Sequence, residues 1–436
     1  TIKVNQPPAA LSGSDSPFYV NTEARPWLKS EHHPRRAAVS AFGFGGSNFH
    51  CVLEESPQVF ADPDWDGDVQ VLAFSAMQLK ELVEQIRLLP WSEFAVPEHT
   101  GTAENALPWS AWAALRNMAH RSRTTYQVEH QHRLLFVVER ERANVEAAVA
   151  GALTLLERYP DRSSWSTPDG VYYGRGPQDG RLGVLFPGQG SQYVGMLREL
   201  ACRFPVMQDV LAEANDVYSS AFNPQENSAN RLTDYVYPQS AWSAEARLQR
   251  DNQLRATQIA QPAIGAISLG SLAILSQFGV CPSAAAGHSY GELTALCASR
   301  RIQPEALYRL SMLRGQLMAA AQEEVGGMLA VGAPLTQVEA LIKELAVDLV
   351  VANYNSPNQV VLSGRLPEIE RVTALLATRN MRGRKLQVAA AFHSPLVASA
   401  SRAFRPELDH IDFAPSEMPV YANTTATEYP SDPVAA

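Results

Sequence analysis

Residues 1–25 are rich in Pro, Ser and Asn, hold no sustained apolar period, and read as extended chain. In RRAAVSAFGFGGSNFHCVLEE, residues 35–55, AAVSAF and FHCVLEE read as short buried strands. The Gly43-Phe44-Gly45-Gly46 turn between them needs backbone conformations that glycine supplies. No helix start or Lys follows it, so the string reads as a hairpin and not a phosphate loop. After Pro57 the acidic string ADPDWDGD marks a boundary. VQVLAFSA then predicts a strand, and Leu79, Leu82, Val83 and Ile86 recur at helical spacing just beyond it. A helix over residues 109–121, a strand HRLLFVVE and a helix over 145–156 complete a small α/β unit.

From Arg181 strands and helices alternate, as in a parallel α/β sheet. RLGVLF reads as a buried strand ending at PGQGSQ, with a helix beginning near Tyr193. The small-residue helix AQPAIGAISLGSLAILSQFG precedes the strand SAAAGHS, which turns sharply into the helix GELTALCAS. Residues 325–388 read strand, helix, strand, strand, helix, strand, the ferredoxin-like order, inserted before a final His-bearing segment.

Net charge is −9, from 36 basic and 45 acidic residues, which argues against a nucleic-acid-binding body. No apolar run stands out as a membrane span and no signal-peptide pattern opens the chain. Cys51, Cys202, Cys281 and Cys297 lack metal-ligand or CxxC spacing and read as reduced thiols of a cytoplasmic protein. His130 and His132 beside Glu129 lack a further ligand cluster, so they read as solvent-exposed histidines, and no metal site is expected.

Candidate chemistry centres on Gly287-His288-Ser289-Tyr290-Gly291, a GxSxG string after a strand and before a helix. That context is a nucleophile elbow, in which flanking glycines relieve crowding and the Ser289 hydroxyl stands clear of the sheet. A serine at neutral pH needs a base. His393 in AAFHSP has the best context, whereas the His288 side chain is expected to point away from the elbow tip. Chain order also suits an α/β-hydrolase with an acid between Ser and His, and Asp348 is the only Asp there, with several Glu residues remaining open. The PGQGSQ turn can bring the Gln189 N–H toward the nucleophile, completing an oxyanion hole with the Tyr290 N–H. Arg314, in the apolar stripe of SMLRGQLM, is either a snorkelling surface residue or a planar fork suited to a free carboxylate.

The strings FPGQGSQ, QPAI, GHSYGE, LRGQLM, GGMLAV, NSPNQVVLSG and AFHSP, in that order, resemble the malonyl-CoA:acyl carrier protein transacylase family. The resemblance implies Ser289 as nucleophile, His393 as base, Gln189 and Tyr290 as oxyanion hole, and Arg314 on the substrate's carboxylate. Gln261 is expected to line the pocket, with Ala391 and Phe392 bordering the acyl group. The implied fold is a hydrolase-like parallel-sheet large subdomain (181–324 and 389–436) carrying a ferredoxin-like small subdomain (325–388). Residues 1–56 look like the tail of a β-ketoacyl synthase, and 57–180 resemble the small α/β linker domain that joins ketosynthase to acyltransferase. Together they suggest an iterative type I synthase, most like the enediyne polyketide synthases, with polyunsaturated fatty-acid synthases close behind. The substrates would be malonyl-CoA and a phosphopantetheinylated acyl carrier protein, with the ketosynthase and other synthase domains as partners and no bound cofactor. Two departures stand out. The family continues past YANTTA into a segment whose backbone carbonyl holds the base histidine, so that acceptor is not expected here. Its HAFH string is Ala390-Ala391-Phe392-His393 in this chain. A thioesterase with the same Ser–His pair and a non-catalytic scaffold are the rival readings.

Overall fold

The computed structural model describes residues 4, 6–8, 11, 16, 18–29, 33–56, 67–94, 107–141, 144–177, 180–221, 231–320, 326–379, 381–386, 391 and 393–436. The chain divides into two compact units, Gln58–Gly180 and the remainder, Thr1–Pro57 with Arg181–Ala436.

Strands β1 (Arg36–Phe42) and β2 (Asn48–Glu54) pair antiparallel in register from Arg36↔Glu54 to Phe42↔Asn48. Gly46 closes the turn at φ +87°, where a side chain would be strained. The expected burial is not realised. Every residue of both strands is exposed, including Phe49 at 71% and Val52 at 63%, because no further element among the described residues covers the ribbon.

The Gln58–Gly180 unit holds β3 (Val69–Ala76), α1 (Leu79–Arg87), α2 (Trp109–Thr125), β4 (His132–Glu139), α3 (Val145–Arg158), β5 (Ser164–Ser166) and β6 (Val171–Arg175). Its antiparallel sheet runs β3-β4-β6-β5, and Leu72, Phe74, Leu82, Ile86, Trp112 and Phe136 form its core. His132 corrects the sequence expectation. It is buried, and its Nδ1 bonds the Tyr173 hydroxyl at 2.7 Å, a partner supplied by a strand too short to show a period. His130 bonds Ser75 at 3.0 Å.

In the other unit β7 (Gly183–Phe186) leads through α4 (Arg198–Arg203), α5 (Pro205–Ala221), α6 (Leu232–Val236) and α7 (Ala244–Arg255) to α8 (Thr257–Gln277). Then come β8 (Ala284–Gly287), α9 (Gly291–Ala298) and α10 (Pro304–Ala320). The expected helix at Tyr193 begins instead at Arg198, after Gly195 turns at φ +83° and ties its N–H to Val236. Of β7 only Phe186 is buried, since β7 is an edge of its sheet. Contrary to the sequence expectation, α8 is long and apolar enough to cross a membrane, yet 67% of that stretch is buried within the unit. It is a core helix.

The inserted part holds β9 (Gly326–Val331), α11 (Leu335–Leu345), β10 (Leu349–Ser356), β11 (Gln359–Arg365), α12 (Leu366–Thr378) and β12 (Gly383–Lys385). Its antiparallel sheet, ordered β10-β11-β9-β12, has the ferredoxin-like arrangement. Finally α13 (Ala398–Leu408) leads to β13 (Val420–Tyr421), which pairs parallel to β8 on the side opposite β7. The central strand β8 therefore aims its C-terminal end, Gly287, at the site.

Candidate active site

The turn from β8 into α9 is built by close backbone approach. A Cβ on Gly287 would lie 1.9 Å from the Gly291 carbonyl carbon, and one on Gly291 would lie 2.2 Å from the Phe186 oxygen. Between them Ser289 takes φ +52°, a left-handed conformation that L-residues avoid. Strain of this kind persists only where surrounding structure over-determines it. The Gly188 turn fits against the same elbow, since a Cβ there would meet the His288 oxygen at 2.4 Å.

His393, itself at φ +60°, brings Nε2 to 2.8 Å from Ser289 Oγ. Its pKa is held below the usual histidine value by desolvation, then by the Arg314 guanidinium and by His288. The ring is therefore neutral and able to accept the Ser289 proton at physiological pH. Nδ1 has no partner among the described residues. His288 turns away as expected, bonding Asn355 of the inserted part at 3.1 Å.

Neither the Gln189 nor the Tyr290 backbone N–H has a hydrogen-bond partner among the described residues. The Tyr290 ring itself is buried below the elbow, its hydroxyl 2.8 Å from Ser311 Oγ. Burial pushes that phenol well above its ordinary pKa, so it stays neutral.

Arg314 lies on α10 beside Gly315, where that helix packs tightly on α8, for a Cβ on Gly315 would stand 2.4 Å from Gln258 Cα. Arg314, Leu317, Met318 and His393 share a cavity of about 320 Å³ with Val397, Ser401 and Phe404. Desolvation lowers the Arg314 pKa, against the opposing pull of Tyr290 and Glu292. It forms no ion pair among the described residues. A guanidinium so placed is a ready receptor for an anion entering the cavity.

Gln261 sits one turn into the core face of α8. It is fully buried and lies behind Gln189, donating to Gln189 Oε1 at 3.1 Å, while Gln189 Nε2 donates to Thr257 at 3.3 Å. Its Nε2 also approaches Sδ of Met318, which lines the cavity, at 3.7 Å, and its Oε1 has no hydrogen-bond partner among the described residues. Ala391 is buried against β9, where a Cβ on Gly326 would meet its own Cβ at 2.4 Å. Phe392 and Ala390 lie outside the described residues.

The residues that carry no expectation from the sequence are Asn423, Glu292 and Tyr429. Asn423 Oδ1 accepts the Ser289 N–H at 2.9 Å, and its Nδ2 donates to the Gly287 carbonyl at 2.6 Å. Glu292 Oε1 accepts both the Asn423 N–H at 2.9 Å and the Tyr429 hydroxyl at 2.7 Å. Their only sequence signal is that two of them stand inside the strings GHSYGE and YANTTA.

Among the described residues, a strained serine with its histidine, two backbone N–H donors without partners and an arginine without an ion pair stand together in an arrangement suited to acyl transfer. Residues 184–435 match the profile of the acyl transferase domain, and residues 8–91 match the ketoacyl-synthetase C-terminal extension. This chain belongs to the acyltransferase family. It is 29% identical over 447 residues to a polyunsaturated fatty acid synthase polypeptide of Thraustochytrium sp., covering 99% of this chain but only 16% of that protein. A malonyl-transacylase solved in complex with its type II polyketide synthase acyl-carrier protein is 30% identical, with TM-score 0.51, covering 59% of this chain and 78% of the other. The acyltransferase domain of an iterative polyketide synthase in enediyne biosynthesis shares the fold, with TM-score 0.58 at 24% identity, covering 84% and 78% of the two chains.

Proposed function

We propose that this acyltransferase loads a malonyl unit from malonyl-CoA onto the phosphopantetheine thiol of an acyl carrier protein, by a ping-pong route through Ser289. The observation that carries the reading is the 2.8 Å Ser289–His393 hydrogen bond, whose histidine lines a cavity together with Arg314.

In the first half-reaction Arg314 receives the malonyl carboxylate, which leaves the thioester carbon facing Ser289. His393 Nε2 takes the hydroxyl proton as Oγ bonds to that carbon, and the developing oxyanion accepts from the Gln189 and Tyr290 N–H groups. The tetrahedral intermediate collapses by breaking the C–S bond, and the proton on His393 passes to the departing coenzyme A sulfur. The carrier thiol then reverses the sequence: its proton goes to His393, its sulfur attacks the seryl ester, and Oγ leaves with that proton. The full synthase would supply a ketosynthase, whose C-terminal extension residues 8–91 match, and a cytoplasmic setting with its acyl-CoA pool. The exposed apolar ribbon β1–β2 fits that placement, because such a ribbon is stable only against a further layer.

Intact-protein mass spectrometry after exposure to malonyl-CoA tests the reading. A malonyl adduct is expected on the wild type and none on Ser289→Ala. An adduct that survives the substitution, or none on the wild type, overturns it.

A further inference from the structure

We propose that Asn423 is a positioning residue for the nucleophile, its carboxamide holding the elbow so that Ser289 Oγ stays on His393. The inference rests on Ser289 being the acylated residue. Ser289 sits at φ +52°, and the glycines around it permit the turn without fixing it. What spans the turn is one side chain from the turn that follows β13. Asn423 uses both ends of its amide, accepting from the Ser289 N–H at 2.9 Å and donating to the Gly287 carbonyl at 2.6 Å. The amide orientation follows from those partners, since the flipped form would set donor against donor and acceptor against acceptor.

Asn423 is itself held from two sides. β13 runs parallel to β8, with Tyr421 beside Ala286, which delivers Asn423 to the end of the central strand. Its backbone N–H is fixed by Glu292 Oε1 at 2.9 Å, and the Tyr429 hydroxyl donates to the same oxygen at 2.7 Å. Glu292 stands in the first turn of α9, the helix that the elbow opens, so the loop of contacts Ser289–Asn423–Glu292 closes on the nucleophile's own segment. A carboxylate there is also favoured by the helix N-terminus.

The test is the single-turnover rate constant for ester formation from malonyl-CoA, which does not depend on the folded fraction, measured with KM across pH. Asn423→Ala is expected to slow acylation about 10- to 100-fold, as misplacement of a nucleophile by a fraction of an ångström does, with KM changed by less than about twofold. Asn423→Asp keeps the acceptor for the Ser289 N–H but turns an unprotonated oxygen on the Gly287 carbonyl. Its rate relative to wild type should therefore rise as pH falls from about 8 to about 5, when the carboxyl gains a proton to donate. An Asn423→Ala enzyme that acylates at the wild-type rate constant, whatever its thermal midpoint, overturns the positioning role alone. Should that variant fail to fold, a pH-independent ratio for Asn423→Asp overturns it. A wild type that is never acylated overturns the acyl-transfer reading and this one together.

Discussion

Replacing Arg314 by Ala removes the guanidinium that lines the cavity beside His393 and leaves its neighbours in place. Desolvation already depresses the Arg314 pKa, and no ion pair offsets it among the described residues, so the group gains a full partner only when an anion arrives. Truncating one member of a hydrogen-bonded, partly desolvated charge pair costs about 2–5 kcal/mol. At about 1.4 kcal/mol per decade, malonyl-CoA should lose roughly 30-fold to several thousandfold in kcat/KM. Acetyl-CoA has no carboxylate to leave unpaired, so its rate should change by less than about threefold or rise. The assay is single-turnover acylation of Ser289 with each thioester, followed by mass. Arg314→Lys keeps the charge without the planar fork and should fall between wild type and Ala for malonyl-CoA alone. Equal losses for the two substrates would refute the reasoning and make Arg314 a packing residue of α10.

Because desolvation, Arg314 and His288 all lower the His393 pKa, the acid limb of kcat/KM should lie below the usual histidine value. Removing the Arg314 charge should move that limb upward, read with acetyl-CoA; a limb that stays put excludes the electrostatic contact. His393→Ala should slow acylation by about three orders of magnitude or more, and a loss under about tenfold would point to another base. Gly287→Ala drives a methyl to 1.9 Å from the Gly291 carbonyl carbon and should lower stability by about 1–3 kcal/mol or more, seen as a fall in thermal midpoint together with lost acylation. From its place one residue before the base, Phe392 should disfavour an α-methyl. Competition between malonyl-CoA and methylmalonyl-CoA should then favour malonyl by about 10–200-fold, a ratio that Phe392→Ser should reduce.

Local steric demands are legible in sequence, and the elbow is the clearest case. Gly287 and Gly291 announce a turn that only Cβ-free residues can make, so Ser289 could be singled out without knowing what surrounds it. The inserted β9–β12 part is equally plain, because its alternation of strand and helix periods records which faces are buried. Whatever depends on contact between distant segments was not legible. The pairing of Ser289 with His393 was one choice among several histidines until the fold set them 2.8 Å apart. Gln261 is marked by its motif, but only the register of α8 brings it against both Gln189 and Met318. His132 gained its partner from β6, and the β1–β2 ribbon has apolar strands with nothing among the described residues to cover them. Asn423 and Glu292 carry no period or spacing that marks them. They meet at Ser289 because β13 lies parallel to β8, a pairing set by tertiary packing and not by any local preference of the chain.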